Sequence, residues 1–176
     1  MEYFIIEQDR RLDSIGGSIS FSERILQGFE YAEKHEVVYA ESDKALEYTC
    51  IIDRPILLVS DELRNIFKEF EPELEHKAVV VMDLAQHIQF PYSMMNLTEV
   101  SCSNKQLPYI SKGQSDELVI DESQVNSLRI FRITYYKSSY LVVRLDVAER
   151  LLRKGMYGLK LRRIQTMGCD QSESTT

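Results

Sequence analysis

Residues 56–67 read ILLVSDELRNIF, and residues 141–152 read LVVRLDVAERLL, 85 positions later. The first stretch opens with an apolar run after Pro55, as a strand buried on both faces would. Ser60 or Asp61 can accept hydrogen bonds from the free amides of a first helical turn. Leu63, Ile66, Phe67 and Phe70 then fall at i, i+3, i+4 and i+7, one stripe of a helix, and Pro72 makes its continuation costly. Residues 78–84, AVVVMDL, supply a second apolar strand. The later stretch repeats the plan. Leu141 to Val143 form its strand, Asp146 and Glu149 have capping-box spacing, and Ala148, Leu151 and Leu152 take the positions of Leu63, Ile66 and Phe67. Gly155 lies where the helix should stop, and residues 158–164, GLKLRRI, read as a closing strand. Each helix has one apolar stripe and must lay it on a sheet. The expected fold is α+β: a mixed, mainly antiparallel sheet packed by a few helices, with strand-helix-strand units at about 56–84 and 141–164. Residues 1–166 are expected to form one domain, followed by a tail at 167–176 without apolar periodicity.

Around these units the chain offers further elements. Residues 3–7 suit an opening strand, and SIGGSIS at 14–20 a turn. Ser20 and Glu23 have capping-box spacing before Ile25, Leu26 and Phe29, with Gly28 weakening that helix. Residues 36–40 and 47–53 suit strands, as does FPYSMMNLTEV at 90–100. Residues 101–117 read as a long polar connection, and SLRIFRITYY at 127–136 as a strand centred on Ile130 and Phe131.

Charge is distributed unevenly. Residues 1–126 carry 11 Lys and Arg against 24 Asp and Glu, whereas 127–176 carry 10 against 4; the net −13 and +6 together give the chain's −7. An acidic surface attracts a basic partner and repels nucleic acid, so nucleic-acid binding is not expected. The basic end, with Arg150, Arg153, Lys154, Lys160, Arg162 and Arg163, is expected to pair with the chain's own acidic half. No apolar run approaches the ~20 residues of a membrane span, the N-terminal stretch has no signal-peptide pattern, and three well-separated cysteines give neither a disulfide framework nor metal-ligand spacing. A cytoplasmic location is expected.

Catalytic patterns are weak. HEVVY at His35 approaches the zinc-protease motif, but Tyr39 stands where the second histidine is needed. Gly16-Gly17-Ser18 lacks the lysine and spacing of a phosphate loop, and no nucleophile-elbow pattern occurs. No cofactor, metal or enzymatic activity is expected. Two acidic groups are candidates for docking Lys or Arg of a partner: Glu62 with Glu69, Glu71, Glu73 and Glu75, and Asp116 and Glu117 with Asp121 and Glu122. A solvated helix end and loop would read the same way. The competing reading is a small ligand-binding or enzymatic domain with Tyr92, Tyr135 and Tyr136 around a pocket.

The ordered series PILLVSDELRNIFKEFEP, FPYSMMNLTEV, LVIDESQVNSLRIFRI and YLVVRLDVAERLLRKGMYGLKL resembles the eleventh catalogued family of bacterial polymorphic-toxin immunity proteins, over roughly Pro55 to Ile164. The matching features are Ser60-Asp61-Glu62-Leu63 after a strand, Asn96 after an aromatic-rich strand, Ile130-Phe131-Arg132, and Gly158 after the last helix. SCSNKQ at 101–106 departs from the acidic, serine-containing segment expected there. The resemblance implies a non-enzymatic inhibitor that binds and neutralises a cognate toxin domain inside the cell; a basic nuclease would suit the −13 half.

Overall fold

The computed structural model describes residues 1–12, 18–41, 47–101, 118–135 and 138–167. In chain order they form β1 (Tyr3–Gln8), β2 (Ile19–Ser20), α1 (Glu23–Leu26), β3 (His35–Ala40), β4 (Ile51–Ile52), β5 (Leu58–Ser60), α2 (Asp61–Phe70), β6 (His76–Asp83), β7 (Ile88–Met95), β8 (Glu99–Ser101), β9 (Val119–Asp121), α3 (Glu122–Val125), β10 (Ile130–Tyr135), β11 (Ser138–Arg144), α4 (Leu145–Lys154) and β12 (Leu159–Met167). The fold is α+β as expected, with two mixed, mainly antiparallel sheets in place of one. Their strand orders are β2-β3-β6-β7-β5-β4 and β8-β10-β11-β1-β12-β9.

The two strand-helix-strand units are split crossovers of one design. β5 and β6 both pair antiparallel with β7, which separates them; β11 and β12 both pair antiparallel with β1. β4 lies antiparallel beyond β5 as β10 does beyond β11, and β3 lies parallel beyond β6 as β9 does beyond β12. The halves therefore share the order β3-β4-β5-α2-β6-β7 and β9-β10-β11-α4-β12-β1. The chain's first strand completes its second half. The end of β12 lies beside the start of β1, Ile164 opposite Tyr3, as Asp83 lies opposite Ile88 in the β6–β7 hairpin. A permuted chain that runs from residue 18 to 167, then through a short Gly/Ser turn into residues 2–9, is expected to keep its circular dichroism spectrum and a cooperative melt; an unfolded product would show that β1 is not the equivalent of β7.

Each helix is ten residues long, and the two start 84 residues apart, at Asp61 and Leu145. The repeat is thus one residue shorter than the sequence alignment suggests. α2 buries Leu63, Ile66 and Phe67, and α4 buries Val147, Ala148 and Leu151. Leu151, not Leu152, takes the place of Phe67, and Leu152 is 68% exposed. Ser60 caps α2, its hydroxyl accepting from the Leu63 amide. The capping box expected at Asp146 and Glu149 does not form: α4 begins at Leu145, and Asp146 is already in its first turn, bonded by Arg144. Gly155 ends α4 in the left-handed conformation, its N–H reaching the Leu151 and Leu152 carbonyls. At α1 the cap is Ser22, not Ser20, and the helix stops at Leu26 before Gly28. FPYSMMNLTEV divides between β7 and β8, which belong to different sheets, and 47–53 contributes only the two residues of β4. The turn proposed at 14–20 lies mostly outside the described residues, as do most of 101–117 and the tail beyond 167.

A central core holds the helices between the sheets: Leu63, Ile66 and Phe67 of α2 and Val147, Ala148 and Leu151 of α4 meet Val59 and Met95 of the first sheet and Ile6, Leu141 and Val143 of the second. Each sheet packs a further cluster on its other face, around Val79, Val81 and Tyr92 in the first and Tyr3, Phe131 and Val142 in the second. On that first-sheet face Glu36 is 5% exposed and accepts from Arg24 Nε and Nη2 at 2.9 and 3.0 Å and from the Glu33 amide at 2.7 Å. The Arg24 bonds hold its carboxyl below the usual carboxylate range. Because the folded state lowers this pKa, its stabilisation is full above the unfolded value and is lost as pH falls through the folded one. Glu36→Gln is expected to lower unfolding free energy by about 2 kcal/mol at neutral pH, a gap that closes below about pH 4. Urea midpoints at several pH values check it, and a pH-independent gap would count against the ion pair.

Candidate functional site

The seven acidic candidates among the described residues are not brought together. Glu62 pairs with Lys154 at 3.1 Å, and Glu69 takes both Arg150 Nε and Nη2 at 2.9 Å, so the outer face of α2 is neutralised by α4. Asp121 caps α3, accepting from the Ser123 amide and hydroxyl at 2.9 and 2.7 Å, and the hydroxyl bond lowers its pKa. Glu122 accepts from Thr166 Oγ1 at 2.8 Å and from the Met1 ammonium at 3.1 Å; the Thr166 bond lowers its pKa most. Asp116 and Glu117 lie outside the described residues. The turn between α2 and β6 keeps the remaining three. Glu71 and Glu73 make no ion pair among the described residues, and Glu75 accepts only from the neutral Asn96 amide at 3.1 Å. Most of the basic end pairs with the acidic half: besides Lys154 and Arg150, Arg162 and Lys160 meet Glu7, and Arg163 meets Glu2, whereas Arg153 pairs with Glu149 of its own half.

Farther along β6 lies a feature not apparent in the sequence. α2 covers β5 and β7, but the same face of the first sheet continues over β6 and β3 with no helix above it among the described residues. The strand registers align Val37 with Val80 and Pro91, and Tyr39 with Met82. Val37 is 55% exposed, Tyr39 48% and Leu84, in the turn that follows β6, 62%. In the second half the corresponding positions of β12 are Arg163 and Gln165, both exposed and polar. The same plan thus yields a solvated surface in one half and an apolar shelf in the other, so the fold does not dictate the apolar choice. Neither strand gave a signal: residues 37–40, VVYA, show no apolar-polar alternation, and the unbroken VVV of β6 reads as buried on both faces.

No catalytic set emerges from the residues singled out. The HEVVY stretch is strand β3, not the helix that a zinc-protease motif requires, and no group of three or more metal-ligating side chains occurs among the described residues. Tyr92 is buried with its hydroxyl donating to the Thr49 carbonyl at 2.8 Å, Tyr135 packs on the far side of the second sheet, and Tyr136 lies outside the described residues. Tyr92 and Tyr135 lie in separate clusters on different sheets and do not share a pocket. Cys50 is buried, and desolvation pushes its thiol up to about 12, which makes it a poor nucleophile. A cleft of about 850 Å³ does open between the sheets, along Ile6, Gln8 and Leu141 on one side and Asp53 to Leu57 and Met94 on the other. Its Asp53 is committed to Arg10 at 2.7 Å and to the Gln8 amide at 3.0 Å.

No protein-family model matches this chain. No curated protein sequence matches it either. No helix among the described residues is long and apolar enough to cross a membrane.

Proposed function

We propose that this chain works by capturing another protein, as an immunity protein that binds a toxin domain and blocks it without catalysis. The observation that supports this reading is the apolar shelf of Val37, Tyr39, Val80, Met82 and Leu84. Contiguous apolar surface of this kind is costly to leave in water and marks protein interfaces, where aromatic and aliphatic anchors supply most of the affinity. The turn of Glu71, Glu73 and Glu75 precedes β6, about 16 Å along the strand from Val80, and carries carboxylates with no ion pair among the described residues, which suits a partner broad enough to span both and bearing Lys or Arg beside an apolar centre. The ordered sequence motifs point the same way.

Co-expression with the toxin domain encoded by the neighbouring gene is expected to restore growth, and a well-expressed chain that gives no protection overturns the reading. The double variant Val37→Lys, Met82→Lys should weaken the purified complex by about a hundredfold or more, mainly through faster dissociation. Glu71→Lys with Glu73→Lys should instead slow association by roughly tenfold and flatten its salt dependence. Undiminished binding by both variants would move the contact elsewhere.

A further inference from the structure

We propose that the cleft between the two sheets is a binding site for a small carboxylate with an aliphatic body. It is separate from the capture surface and does not depend on it. Gln8 and Arg132 both line the cleft, one from β1 and the other from β10, on the helix-side face of the second sheet. Gln8 is 2% exposed, yet its side-chain Nε2 has no acceptor among the described residues; the Nε of Arg132 is likewise buried without one. Buried N–H groups in folded proteins nearly always have acceptors, so two on the wall of one cleft call for an acceptor brought from outside.

The carboxylates around the cleft are committed, Glu7 among them to Arg162 at 3.4 Å. Glu99 takes Arg132 Nη2 at 2.9 Å, and Asp53 takes Arg10 and the Gln8 backbone. Arg54, also lining the cleft, is exposed and makes no ion pair among the described residues. Gln27, Ser138 and Ser139 on the lining can donate or accept, but the buried unused valence is donor and the unneutralised charge positive, which favours an anion with planar acceptors, such as a carboxylate, over an amine or an uncharged alcohol. The other walls are apolar: Leu57, Met94, Met95, Leu97 and Leu141. The methionines can reshape around a flexible chain, and the volume lies in the range of ordinary small-molecule sites.

Calorimetric titration of the full chain with sodium octanoate and with octan-1-ol tests this without any toxin present. Octanoate is expected to bind saturably at one per chain, and the alcohol about tenfold or more weakly. Gln8→Leu and Arg54→Gln should each weaken octanoate by roughly fivefold to tenfold and leave the alcohol unchanged. Arg54 is on the surface, so its variant stays informative if Gln8→Leu does not fold. Equal affinity for the two probes, binding of neither because the cleft holds only water, or octanoate binding unaltered in the folded variants would each overturn the proposal. None of these results bears on toxin capture.

Discussion

Gly158→Ala is expected to lower stability by about 3 kcal/mol and the melting temperature by roughly 10 °C. Gly158 has φ of 77°, a left-handed conformation that costs any L side chain. A Cβ there would lie 2.5 Å from Thr49 Cβ and 3.3 Å from its Cα, and nearer still to Cγ2. Neither side can retreat cheaply. Thr49 is 2% exposed with its hydroxyl donating to the Ile51 carbonyl at 2.7 Å, the Cys50 amide bonds to the Tyr157 carbonyl at 3.1 Å, and the Asp9 amide bonds to Gly158 itself at 2.9 Å. These contacts join the turn after α4 to the edge of the first sheet. Thermal melts of the two single variants and the Thr49→Ala, Gly158→Ala double variant separate the causes. Alanine at 49 removes Cγ2 but keeps the Cβ that stands 2.5 Å away, so the double variant should recover only part of the loss and retain at least about 1 kcal/mol from the backbone angle. A single-variant loss below about 1 kcal/mol would show that the turn moves freely away from Thr49.

The second large effect is expected at Phe67. This residue is fully buried among side chains from both sheets and both helices, so Phe67→Ala should cost about 4 kcal/mol. The more diagnostic result concerns where the loss is felt. Val59 and Met95 on one side and Leu141 and Val143 on the other belong to the same cluster, so amide protection should fall together in β5, β7, β11 and β12. Hydrogen exchange that stays at wild-type levels in β11 and β12 would mean that the halves unfold independently, and a biphasic urea transition should then accompany it.

Those elements show what local pattern conveys and where it stops. The α2 stripe and the Gly155 stop were readable because 3.6-residue periodicity and a left-handed glycine are local properties. The one-residue slip in the repeat arose at Leu151-Leu152, where either leucine satisfies the spacing and only burial against the partner helix distinguishes them. Residues 90–100 look continuous because nothing in β7 or β8 announces that they join different sheets. The acidic turn was visible as composition, but the pairing of Glu62 and Glu69 with Lys154 and Arg150 depends on how two helices meet, which spacing does not encode. The shelf was hidden by the same ambiguity that makes Val79-Val80-Val81 read as doubly buried.

The borrowed last strand also bears on how the molecule is made. β1 leaves the ribosome about 130 residues ahead of β11 and about 150 ahead of β12, the two neighbours that will hold it. At the usual pace of translation, Tyr3, Phe4, Ile5 and Ile6 spend on the order of ten seconds without a sheet to join. Meanwhile β3 to β7 have every strand they need and can assemble while synthesis proceeds. The nascent chain is thus obliged to keep a sticky aliphatic segment soluble until its final third arrives, which makes this one strand the natural client of a cellular chaperone.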